Sequence, residues 1–261
     1  MIKVDHLVKK FGEMTAVDDV SFDVASGEVF AFLGPNGAGK TTTIKMLTTL
    51  LKPTSGKIDI DGIDPQMQAN EARKRFGIVF QDPSLDQELT AYENMDLHGI
   101  LYSVPRKVRH ERTEMLLKLF ELWDKRDKFV KEFSGGMKRR LEIARGFLHT
   151  PKILFLDEPT LGLDPQSRNQ LWTHVKNLNS TEGVTVFLTT HYMDEAERVA
   201  DRIAVIDHGK IVAQGSPDEL KQRTETNSLE AAFLALTGSS VRDERADSAD
   251  QTRQMARMWR K

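Results

Sequence analysis

The sequence predicts an α/β fold: a core carrying a phosphate-binding loop, with a β-rich N-terminal segment and a helical insertion. Three observations carry that prediction. The apolar run Glu28–Leu33 leads through Gly34-Pro35-Asn36-Gly37-Ala38-Gly39-Lys40-Thr41 into Thr42–Leu47, whose spacing is helical. The runs Ile153–Leu156 and Val184–Leu188 are short and almost wholly apolar, as strands buried on both faces must be. Between residues 82 and 133 the chain turns charged and takes on helical periodicity.

The elements follow in order. Val20–Val24 alternates apolar and polar residues, the pattern of a half-buried strand, and Lys57–Gly62 repeats it before a turn. Phe76–Phe80 is a further strand that stops at Gln81. Glu114–Leu122 presents an apolar helical face. Ile203–Ile206 and Lys210–Ala213, joined by Asp207-His208-Gly209, form a hairpin. From about Gly238 the chain is polar and rich in both charge signs. Met255, Met258 and Trp259 fall at helical spacing there, which suits either a frayed tail or a docking helix. The division expected is 1–220 for the core, with the insertion at about 82–135, and 221–261 for a short helical extension and polar tail.

Composition removes several classes of function. A net charge of −2 over 261 residues supplies no basic field for nucleic acid or an anionic membrane. With no cysteine, disulfides, thiolate metal sites and cysteine nucleophiles are all excluded. The first residues lack the apolar core of a signal peptide, and no apolar run approaches the roughly 18–20 residues that cross a bilayer. The expectation is a soluble cytoplasmic chain whose membrane contact comes only through a partner.

Gly34–Thr41 fits the G-x-x-x-x-G-K-[ST] loop without a gap, in a strand–loop–helix frame. Its glycines let backbone N–H groups curl round a polyphosphate, and the helix that follows adds its positive N-terminal end. Lys40 then reaches the β/γ-phosphates and the Thr41 hydroxyl sits on Mg²⁺. A nucleoside triphosphate is the implied ligand. The strand Ile153–Leu156 delivers Asp157 and Glu158 at its end. The first acid is placed to serve Mg²⁺ and the second to take a proton from an attacking water, where a lone acid would more simply cap a helix.

Phe133-Ser134-Gly135-Gly136-Met137 resembles the signature motif of ATP-binding cassette (ABC) ATPases. Gln81 lies before it, the acid pair after it, then Leu161-Gly162-Leu163-Asp164 and His191, in the family's order over residues 1–220. The resemblance implies a P-loop ATPase of the ABC type, an α/β fold with a mixed sheet core, an N-terminal antiparallel β subdomain and a helical insertion, binding ATP and Mg²⁺ at Gly34, Pro35, Asn36, Gly37, Ala38, Gly39, Lys40, Thr41 and Thr42. It implies a homodimer stacked head to tail, in which Ser134, Gly135 and Gly136 meet the γ-phosphate held by the other subunit's Lys40. Gln81 takes the place of the residue that touches Mg²⁺ and water, His191 that of the γ-phosphate contact, and Asp164 that of the residue at the dimer seam. Phe11 occupies the adenine-stacking position, or is a packed surface aromatic. Phe133 and Met137 stand where the family usually has Leu and Gln. Neither change touches the Ser and Gly groups, though Met137 removes an amide from the seam.

Phe133–Leu141, Gly162–Arg168 and Leu229–Gly238 resemble the ATPase subunits of daunorubicin-resistance type exporters. That resemblance implies a separate multi-span membrane permease, a place at the cytoplasmic face of the membrane, and export of a drug, lipid or polysaccharide. Lys138, Arg139 and Arg140 are expected to form a solvated helix face. The alternatives are a soluble ABC ATPase acting on ribosomes or DNA, or a regulatory subunit that grips ATP without turnover. The first lacks a second cassette or sustained heptads here, and the second has no use for a base.

Overall fold

The computed structural model describes residues 1–238. The expected tail with Met255, Met258 and Trp259 lies outside the described residues. The strands β1 (Ile2–Phe11) and β2 (Met14–Val24) pair antiparallel, and β3 (Val29–Leu33) then enters a second sheet. The phosphate loop and α1 (Lys40–Leu47) follow, after which β4 (Ser55–Ile60) returns antiparallel to the other side of β1. A short α2 (Ala69–Arg73) leads to β5 (Phe76–Val79). The helices α3 (Ala91–Leu101), α4 (Arg106–Leu119) and α5 (Gly135–Gly146) come next. Then β6 (Ile153–Asp157), α6 (Pro165–Glu182), β7 (Thr185–Thr190), α7 (Met193–Val199) and β8 (Arg202–Asp207) alternate. The described chain closes with β9 (Lys210–Gly215), α8 (Pro217–Arg223) and α9 (Leu229–Thr237).

The larger sheet has the order β5-β6-β7-β3-β8-β9, parallel except for the edge strand β9. Every residue of β3, β6 and β7 is buried, because helices cover one face and the β2-β1-β4 sheet covers the other. Alternate residues serve opposite cores. Ala31, Leu33, Leu154, Leu156, Val186 and Leu188 face the helices; Phe30, Phe32, Phe155 and Phe187 face the smaller sheet. There Phe22, Phe30 and Phe187 pack with ring centroids 5.5–5.8 Å apart. Each such ring buried contributes roughly 1.5–3 kcal/mol, so the rings bind the two sheets into one layered body.

Local sequence sets the ends of the elements. Thr90 and Glu93 form a capping box that starts α3, and Asp164 caps α6 just before Pro165. The β8–β9 turn is two residues, His208 and Gly209, both at positive φ, as a tight hairpin requires. The helical face read over Glu114–Leu122 stops earlier, since α4 ends at Leu119 and Glu121 turns into the left-handed region at φ 56°. Leu122 is buried all the same, reached by the returning chain. Leu229, Ala232 and Phe233 are buried where α9 packs on α7, α8, β8 and β9.

Candidate active site

Strand register assembles the site. Leu33 pairs with Thr190, Asp157 with Thr189, and Val79 with Leu156, all in parallel. Gly34, His191, Glu158 and Gln81 therefore leave neighbouring strands at the same carboxyl edge, where open α/β sheets place their ligands.

Gly39 has φ 107° and precedes α1, and a Cβ there would lie 2.6 Å from Ala16 O. The loop thus rests on the start of β2, close to the turn that follows Phe11. Phe11 is half-buried, pairs with Met14 and has Lys9 Nζ 5.0 Å from its ring. Lys40 is buried at the loop's end, with Nζ 2.7 Å from Gly34 O, 3.2 Å from Pro35 O and 3.2 Å from Glu158 Oε1. Burial lowers the Lys40 ammonium pKa, and Glu158 opposes the shift.

Asp157 ends β6 as a buried carboxylate. Thr189 Oγ1 donates to its Oδ1 at 2.6 Å, and Thr41 Oγ1 donates to the same atom at 3.3 Å. Burial raises the Asp157 carboxyl above its usual range, against the pull of those hydroxyls. Glu158 lies in the left-handed region at φ 48°, a conformation that costs a non-glycine residue about 1–3 kcal/mol. Its carboxylate stands between two cationic or donor groups: Lys40 at 3.2 Å and His191 Nδ1 at 2.6 Å from Oε2. Burial pushes the Glu158 carboxyl up, but the His191 hydrogen bond and Lys40 charge together outweigh it and hold the group low. The result is an ionised, doubly oriented acid at the mouth of the loop. That arrangement can take up a proton from a water activated for attack on phosphate.

A second cluster forms from the signature residues. Ser134 caps α5, its Oγ accepting from Met137 N at 3.3 Å. A Cβ on Gly136 would fall 2.6 Å from Ser167 Oγ, so Gly136 and Ser167 touch closely. Ser167 in turn donates to Asp164 through N (3.0 Å) and Oγ (2.6 Å), which holds the Asp164 carboxyl below its usual range. Among the described residues no hydrogen bond or ion pair joins Ser134, Gly135, Gly136 or Asp164 to Lys40, Asp157, Glu158 or His191. Among the described residues the two clusters are thus separate.

Two contributors were not read from the sequence. Thr189 fixes both acids, since its hydroxyl also receives Glu158 N at 3.1 Å. The signal available was a hydroxyl at the end of the apolar run Val184–Leu188. Arg139 corrects an expectation outright: it is buried, not part of a solvated face. Its guanidinium reaches the carbonyls of Phe80, Asp157, Glu158 and Pro159, together with Glu142. Arg140 is largely covered as well and pairs with Glu121 at 3.2 Å.

The sequence model of the ABC transporter family matches residues 17–161, more than half of the chain. The chain belongs to the ABC transporter family. This ABC ATPase is 42% identical, over 97% of its length, to the daunorubicin resistance ATP-binding protein DrrA3 of Streptomyces coeruleorubidus, 84% of which it covers. It is 43% identical to the Nod factor export ATP-binding protein I of Ralstonia nicotianae, across 84% of this chain and 68% of that one. Among solved structures, it matches the dimeric post-hydrolysis state of an ATP-binding cassette bound to ADP and Pi. That match has a TM-score of 0.73 at 31% identity and covers 83% of this chain and 98% of the other. It is an ATP-binding subunit of that family, and its reaction is ATP hydrolysis. Among the described residues of this ABC ATPase, no helix is long and apolar enough to cross a membrane.

Proposed function

We propose that this ABC ATPase works as a homodimer at the cytoplasmic face of the membrane, hydrolysing two ATP molecules to drive a separate multi-span permease. The observation that carries the reading is the Glu158 carboxylate oriented between Lys40 and His191. Gly34–Thr42 wraps the polyphosphate, Lys40 neutralises the β/γ-phosphates, and Phe11 offers its ring to the adenine. Glu158 takes the proton of the attacking water, His191 steadies the γ-phosphate, and Gln81 orients the water.

Mg²⁺ fits the donors present. Thr41 and Asp157 supply hard oxygens 3.3 Å apart at the loop, and Mg²⁺ in phosphate sites takes one or two protein oxygens with the rest from phosphate and water. Thr41, Asp157 and Gln81 would hold it, and when bound it supplies charge neutralisation between phosphate oxygens. Two copies turned head to tail bring Ser134, Gly135 and Gly136 of each to the nucleotide of the other, with Asp164 at the seam. The separation of the two clusters on one chain and the dimeric cassette among the similar structures support that arrangement. The helical stretch at about 82–135 passes the motion to the permease. The nucleotide-binding unit is assigned to 1–220, and of the extension that follows it α9 packs back on α7, α8, β8 and β9. The daunorubicin and Nod factor relatives support export, with a drug, lipid or polysaccharide as cargo.

Purification of tagged Glu158→Gln from solubilised membranes with Mg-ATP, followed by mass spectrometry of the bound proteins, tests the proposal. A multi-span permease is the result expected. Ribosomal or DNA-repair components without a membrane protein would place this ATPase on soluble machinery instead.

A further inference from the structure

Arg139, Glu142 and Arg145 follow one another at three-residue spacing, so they share one face of α5. Arg139 uses Nε on Pro159 O at 2.7 Å and Nη2 on Asp157 O at 3.2 Å and Glu158 O at 3.1 Å. Its Nη1 donates to Phe80 O and, at 3.0 Å, to Glu142 Oε2. Glu142, itself buried, accepts from Ser84 N at 2.7 Å and from Ser84 Oγ at 3.3 Å. Arg145 adds Nη1 to Ser84 O at 2.8 Å and a second bond to Ser84 Oγ.

We propose that Arg139 is a positioning residue for ATP hydrolysis, clamping the 157–159 turn so that Glu158 keeps its pose, while the Arg139–Glu142 pair couples that turn to the Phe80–Ser84 segment. The proposal rests on Glu158 being the hydrolytic base. Three consecutive carbonyls converge on one guanidinium, and the middle residue is the one held at positive φ. An arginine needed only to balance Glu142 has no use for that convergence. Lysine cannot replace it, because an ammonium lacks the planar fork of donors that spans several acceptors. The coupling follows from the same contacts. Ser134 starts α5, Phe80 immediately precedes Gln81, and Ser84 lies on the path to α3. A shift of α5 therefore moves the turn under Glu158 and the segment after β5 together.

The test uses Arg139→Lys and the double variant Arg139→Met/Glu142→Leu. Replacing both members of a buried ion pair with apolar residues is often neutral for stability, so the double variant keeps the experiment open where the single one does not fold. ATP turnover, nucleotide affinity and amide hydrogen exchange over 80–84 and 157–161 are measured for each. The expected result is a kcat lowered about 30- to 100-fold, KM for ATP within about threefold of wild type, and faster exchange in both segments. A kcat within about threefold of wild type in the folded double variant overturns the proposal. A loss of affinity equal to the loss of kcat overturns it too, since that marks general collapse of the site. Exchange keeps this inference apart from the base assignment. Unchanged exchange over 157–161 removes the clamp however Glu158 behaves, whereas wild-type turnover in Glu158→Gln removes the base and leaves the clamp to be judged by exchange alone.

Discussion

His191 Nδ1 lies 2.6 Å from Glu158 Oε2, and Lys40 Nζ lies 3.2 Å from the other oxygen of the same carboxylate. The histidine comes from the end of β7, the acid from the end of β6 and the lysine from the first turn of α1. Glu158 is thus fixed by two elements it does not belong to. Because its carboxyl is held low, it adds stability that is present above its ordinary pKa of 4.5 and lost as pH falls through the depressed value.

His191→Ala removes the larger of the two influences that hold Glu158 ionised. Burial then has less to oppose it, so the carboxyl titrates higher. The kcat should fall about 100-fold, and the acid limb of its pH profile should move to higher pH. Steady-state ATPase assays across pH check this, and an unmoved limb with near-normal kcat would remove His191 from the site's chemistry.

Asp157 has the opposite sign. Its carboxyl is raised by burial, so the favourable protonated form is lost as pH rises above 3.8 and through the raised value. At neutral pH the buried charge is a cost to the fold. Asp157→Asn should raise Tm by about 2–4 °C at pH 7 for each kcal/mol relieved, with no gain near pH 3, while ATPase activity falls. Thermal unfolding at the two pH values decides it, and an equal gain at both would contradict the burial argument.

The α9 helix separates packing from surface. Phe233 is buried among core side chains, whereas Leu234 beside it is 48% exposed. Phe233→Ala should cost about 3–5 kcal/mol, and Leu234→Ala no more than about 0.5 kcal/mol. Urea unfolding of both variants measures the difference; equal effects would mean that α9 is not docked as described.

The framework was legible in the sequence because local pattern decides it. The runs Val29–Leu33, Ile153–Leu156 and Val184–Leu188 at β3, β6 and β7 are almost wholly apolar, and strands covered on both faces tolerate that. The mixed sheet and the antiparallel N-terminal sheet follow as expected, and the family is the one the signature resembled. Arg139 was not legible. Three basic residues in a row read as solvated, and nothing local announces that the middle one finds four carbonyls from residues 80 and 157–159. Thr189 was hidden for a similar reason, since its partner acid is 32 positions away and only parallel register brings them together. The end of α4 was misjudged because Leu122 is apolar and buried, although Glu121 has already left the helical region.

Glu158→Gln tests the central claim most directly, with ATP turnover, bound nucleotide and dimer formation measured on the same purified protein. The expected outcome is turnover reduced by about 10²–10⁴-fold, Mg-ATP still bound at near wild-type affinity, and an ATP-dependent dimer that persists through size-exclusion chromatography. Turnover at the wild-type rate would contradict the account, because the acid set between Lys40 and His191 would then have no part in hydrolysis.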